Sequence, residues 1–198
     1  VDFVKNAIDE ATGTGLVNAF TVDTTSLIDL KVEEYSKDDL GAKFQREFPD
    51  GKDLIKEYGS DFCFSWIDGS LHTAKFSEEE IMTMALQFRR SLEVCYEIYS
   101  HLRTEMRDKP FGFEIALDES TRTTGKELLY YLREWKKLGA HVDFVAPNLG
   151  FRKRADFDGD LGMLKEQLSF LAAVANGHGA LLSIHSGHER YLQALWLQ

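Results

Sequence analysis

Cysteine and basic charge are scarce in this chain, and long apolar runs are missing. Two cysteines occur, Cys63 and Cys95. Neither belongs to a CxxC pair, which argues against a zinc knuckle and a disulfide framework. Lysine and arginine total 23 against 33 acidic residues, a formal net charge of −10. That deficit argues against broad binding to a phosphate backbone, which needs a basic face. Arg152, Lys153 and Arg154 do lie together, and such a run reads most simply as a solvated loop. No apolar run is long enough to span a bilayer, and the start carries no signal-peptide pattern, so a cytoplasmic location is expected. There is no GxGxxG after a strand, no GxxxxGK[ST] and no GxSxG, so nothing marks a dinucleotide, a nucleotide phosphate or a nucleophile elbow. No internal repeat or low-complexity segment stands out.

What is present fits one α/β domain over residues 1–198, with enough chain to bury a core. Residues 1–11 read as a helix, with Phe3, Val4, Ala7, Ile8 and Ala11 on one face. A chain that opens inside such a pattern reads as a fragment of a longer barrel enzyme. Residues 16–22 read as a strand; residues 31–60 are polar, with weak helix signals and a turn at Pro49-Asp50-Gly51. Residues 61–67 read as a strand followed by an Asp68-Gly69 hairpin turn. The strongest element is a helix over 77–107. Ser77 and Glu80 form its capping box, and an apolar stripe runs through Ile81, Ala85, Phe88, Leu92, Cys95, Tyr99, Leu102 and Met106. A spacing near 3.5 also suits a coiled-coil seam, but aromatics and cysteine favour an internal core stripe.

Strand and helix then alternate. Strands are expected at 110–117, 141–146 and 180–184. A helix capped by Thr124 and Glu127 should carry Leu128, Leu132 and Trp135, and one capped by Asp160 should carry Leu161, Leu164, Leu168, Leu171 and Ala175. Residues 189–197 look helical. Counting 16–22, this gives about four parallel strand–helix units, a hairpin and one long helix: an open α/β sheet or a partial (β/α)8 TIM-barrel-like fold.

Two runs within this frame carry chemistry. FEIALDE places Glu114 inside an apolar strand, with Asp118 and Glu119 at its end; LLSIHSG does the same with His185 and Ser186. A charge in a buried strand is costly without a partner. Alternation sets Glu114, Ala116 and Asp118 on one face, Leu181, Ser183 and His185 on the matching face of the last strand, and Thr21 with Asp23 on the first. These groups can converge at the C-terminal rim of the sheet, where α/β proteins place their sites. Each has a plainer reading: Glu114 as a structural acid, His185 as a core histidine, Asp23 as a cap, and Asp118 and Glu119 as loop acids. His188 reads as lying outside the site, and His72, His101, His141 and His178 as surface residues, the last in a turn. The Ser186-Gly187 backbone offers N–H groups to a carboxylate or hydroxyl.

FEIALDE with its threonine-rich loop, KKLGAHVDFVAPN, DFDGDL, LLSIHSG and an early NAFTVDTT resemble, in order and spacing, the tagaturonate epimerase family of hexuronate catabolism. The resemblance runs from about residue 16 to 188. It implies a metal-dependent epimerase interconverting D-tagaturonate and D-fructuronate in carbohydrate metabolism. It implies that Glu114 is the proton donor and that His185 binds the divalent cation, with Zn, Mn, Co and Ni all suitable. Asp23, Asp118, Glu119, Asn148 and Ser186 then fall at substrate-binding positions. An upstream Asp-Ala-Asp-His stretch, expected to hold the proton acceptor and another ligand, has no counterpart here.

The epimerised carbon is one removed from the carbon next to the ketone, so its C–H is not acidified. Retro-aldol cleavage and re-addition needs only a metal and two proton-transfer groups. The alternatives are a metal-dependent aldolase on sugar acids and a non-catalytic sugar-binding or assembly half-barrel. In the latter a second copy or another chain would cover the open sheet edges.

Overall fold

The computed structural model describes residues 1–107, 109–118, 122–151 and 159–185. A first helix, α1 (Asp2–Gly13), leads into β1 (Ala19–Asp23), and α2 (Lys37–Glu47) and α3 (Gly51–Glu57) precede a hairpin of β2 (Phe62–Ser65) and β3 (Leu71–Ala74). The long α4 (Glu78–Met106) follows. The rest alternates: β4 (Gly112–Leu117), α5 (Gly125–Lys137), β5 (Phe144–Pro147), α6 (Leu161–Gly177) and β6 (Leu181–Leu182).

β1, β4, β5 and β6 form one parallel sheet in that order. Each crossover adds the next strand on the same side, and no step reverses direction. A doubly wound sheet would reverse at a switch point. Right-handed crossovers that always advance one way put their helices in one layer. α4 accordingly packs on α5, and α5 on α6. This is a singly wound, partial barrel-like arrangement.

The reason these segments form these elements is largely local. The capping boxes expected at Ser77/Glu80 and Thr124/Glu127 are both made, and Asp160 Oδ1 accepts from the Met163 N–H at the start of α6. Every residue of the α4 stripe from Ile81 to Met106 is buried, so the stripe faces this chain's own core. Tyr99 and Trp135 meet Phe113 with ring centroids 4.9 and 5.7 Å away, which locks α4, α5 and β4 together.

Residues 37–57 hold two helices where only weak signals were read. Ser36 caps α2, and Leu40 and Phe44 are buried against α4. Tertiary burial decides what propensity left weak. The strands are shorter than expected. Leu16, expected in β1, is 87% exposed, because the sheet begins only where pairing with β4 begins. β5 begins at Phe144 and not at 141, where its register with Glu114 and Leu181 begins; the Asp143 carboxylate just before it accepts from the Phe113 N–H and from His141. The helix expected at 189–197, the basic run 152–154 and His188 lie outside the described residues.

Candidate functional site

Phe113, Ile115 and Leu117 of β4 are buried under the helices, and Glu114 and Asp118 fall on the opposite face. In β1, Thr21 is the register partner of Glu114, and Asp23 that of Ala116. β5 contributes Phe144 and Ala146 to this face. Ala146 is small, so groups from β4 and from the end of β6 can meet across β5.

They do meet. Thr21 Oγ1 donates to Glu114 Oε2 at 2.6 Å. His185 Nε2 lies 3.1 Å from the same oxygen, and His185 Nδ1 lies 3.4 Å from Asp118 Oδ2. Burial pushes the Glu114 carboxyl up. Hydrogen bonds from Thr21, Ser183 and His185, with the His185 charge, outweigh that and hold it below the usual carboxylate range. Donors from β1 and from the segment after β6 thus converge on one carboxylate of β4 and favour its charged form.

The remaining expected residues divide. Asp23 stands at the rim, but its Oδ1 accepts from the Thr25 N–H and caps the turn that follows. Asn148 donates from Nδ2 to the Asp118 carbonyl and accepts from the Gly150 N–H, so it ties the loop after β4 to the loop after β5. Arg122 and Gln167 extend the brace, through Arg122 Nε to Gln167 Oε1 and Gln167 Nε2 to the Thr123 carbonyl. Glu119 and Ser186 lie outside the described residues. Thr21 and Ser183 were legible as inner-face residues but not as partners of Glu114. Their signal was the two-residue spacing to Asp23 and to His185.

Two cavities, of about 650 and 730 Å³, open away from this rim: one between the hairpin and the ends of α5 and α6, the other between α2, α3 and α4. They gather no comparable set of acid–base groups. His178 lines the first. It is half-buried, not a surface residue, and burial lowers its pKa while its ring bonds to the Val174 carbonyl.

His185 and its two carboxylates are ligand types that a cation could use, but both ring nitrogens face carboxylates, Nε2 toward Glu114 and Nδ1 toward Asp118, so a cation there would displace one of them. Among the described residues one group, away from this rim, has its ligand atoms close enough together to hold a metal ion. Asp9, His101 and Glu105 each bring a ligand atom, all within 4.8 Å of one another.

Fold and rim together define a class: a singly wound α/β protein with acid–base groups at the C-terminal ends of its strands. A family model for tagaturonate epimerase matches residues 1–193, and the chain belongs to that family. It is similar to crystal structures of fructuronate-tagaturonate epimerase UxaE from Cohnella laeviribosi. The complex with two glycerols is 23% identical with a TM-score of 0.80. The complex with one glycerol is 22% identical with a TM-score of 0.81. Both matches cover 95% of this chain and 38% of the solved one. The chain therefore spans about two-fifths of the length of those proteins. No curated protein matches it.

Proposed function

We propose that this single domain supplies part of the active site of a metal-dependent epimerase that interconverts the keto-hexuronates D-tagaturonate and D-fructuronate. The observation that carries the reading is the meeting of Glu114 and His185 at 3.1 Å from strands two apart in the sheet. Family membership supplies the substrate class.

In this reading Glu114, held ionised by Thr21 and Ser183, takes the proton of the hydroxyl on the carbon to be inverted. The bond between that carbon and its neighbour nearer the ketone then breaks. Re-addition to the other face of the aldehyde takes its proton from a second group; in the reverse direction the roles exchange and Glu114 is the proton donor. His185, fixed by Asp118, would hold the cation. The cation would polarise the substrate's ketone. Asp23, Asn148, Glu119 and Ser186 would lie along the substrate, with further ligands and the second proton-transfer group coming from elsewhere in a longer protein. The protein would work in the cytoplasm, and a further chain or a second copy would cover the open sheet edges.

Replacing Glu114 with Gln in the full-length protein is expected to abolish turnover of D-tagaturonate while bound metal persists. Unchanged turnover would remove the role. Release of two smaller fragments from the uronate would identify an aldolase instead.

A further inference from the structure

α1 and α4 lie side by side, joined by Ile8, by the Lys5–Glu97 ion pair and by a contact of 2.6 Å between His101 Nε2 and Asp9 Oδ1. Ile8 is the sole buried residue of α1, and Phe3 on the same helix is 84% exposed. The helix is thus thinly attached. Glu105 sits one turn beyond His101 on α4, so the two share one face. Together with Asp9 they form a three-ligand group of one imidazole and two carboxylates drawn from two helices.

The electrostatics at this place are unusual. Glu105 belongs to the last turn of α4, where the helix carries its negative end and a cation is preferred. Glu105 has no cationic partner among the described residues. Arg103 is the basic residue of that turn; α1 has none in its last turn, and Asp9 lies toward that end. Two helix C-termini and two carboxylates therefore concentrate negative potential around one half-buried imidazole, in a chain already at −10. A bound cation would offset all of it.

We propose that Asp9, His101 and Glu105 bind a divalent transition metal that pins α1 to α4. One nitrogen and two carboxylate oxygens favour Zn or Co over Ca or Mg, which prefer all-oxygen sets. Ligands about 2.0 Å from a tetrahedral metal stand roughly 3.3 Å apart. The Asp9–His101 contact need open by less than about 1 Å to admit the ion. The site lies at the C-terminal end of α4, which leads into the start of β4. It is at the end of the sheet opposite the Glu114 rim and independent of the activity proposed there.

The test is titration of the chain with Co2+, followed by its visible d–d bands, in the parent and in three variants. The parent and His185→Ala are expected to show a saturable tetrahedral signal, and the His101→Ala/His185→Ala pair is expected to lose it. Glu105→Gln changes an exposed side chain and leaves the Asp9–His101 contact in place. It is expected to weaken binding by more than about tenfold. Zn2+ should also slow amide exchange across α1 in the parent but not in Glu105→Gln. A signal that survives in the His101→Ala/His185→Ala pair, affinity unaltered in Glu105→Gln, or absence of a saturable signal in His185→Ala would overturn the proposal.

Discussion

Thr21 and Glu114 show how a single hydroxyl tunes a carboxylate. Burial alone would raise the Glu114 carboxyl; the short bond from Thr21 is the largest opposing influence. Thr21→Val should therefore move it upward toward or above the ordinary carboxylate value, and Thr21→Ser should restore it. A carboxyl 13C NMR titration measures both. The sign for stability follows from linkage. A carboxyl lowered by folding contributes stability that is full above the unfolded value, about 4.3, and is lost as pH falls through the folded value. Glu114→Gln removes that contribution. Its stability should lie on a shallower acid slope than the parent's, and equal slopes between neutral and acid pH would refute the assignment. The inner-face placement of Thr21, Glu114, Ser183 and His185 was legible from alternation alone. Their convergence at one rim was expected as well, but which groups pair was not, because that depends on strand order and on the small Ala146 between them. Asp23 carries both of its readings: one carboxylate oxygen caps the following turn through the Thr25 N–H, and the residue still stands at the rim.

At the scale of elements, the helices were legible where the signal was local. Ser77 with Glu80 and Thr124 with Glu127 mark their helix starts, and both boxes form. Ser77→Ala should cost about 1 kcal/mol, as loss of such a cap does, measured by chemical denaturation. Gly125 is a different case. A Cβ there would meet the Phe170 ring at 2.5 Å, so α5 and α6 approach closely at this point. Gly125→Ala should destabilise by about 1–3 kcal/mol, the cost of overpacking, despite alanine's better helix propensity. No pattern in the sequence announces that contact, since it joins residues of two helices. The same reason hid α2 and α3: Leu40 and Phe44 are few, and only the presence of α4 makes them a core. Strand ends were misread for a related reason, because pairing partners set them and composition does not.

For the whole molecule, the order β1-β4-β5-β6 is what makes the rim. Four parallel strands wound one way leave an inner face on which Phe144 is 41% and Leu181 58% exposed. Such a face suits cover by further chain, and the structures it resembles are more than twice as long. Family and strand–helix alternation were readable from FEIALDE, KKLGAHVDFVAPN and LLSIHSG. The α1–α4 group at Asp9, His101 and Glu105 was not, although the four-residue step from His101 to Glu105 on one helix face was there to be seen. The central claim is that Glu114 and His185 act as a unit at one rim. A double-mutant cycle on kcat/KM for D-tagaturonate in the full-length protein, with Glu114→Gln, His185→Ala and the pair, tests it most directly. Each single change should cost at least about a hundredfold, and the pair should cost little more than the worse single change. Losses that multiply in the double variant, or a Glu114→Gln enzyme that turns over unimpaired, would contradict it.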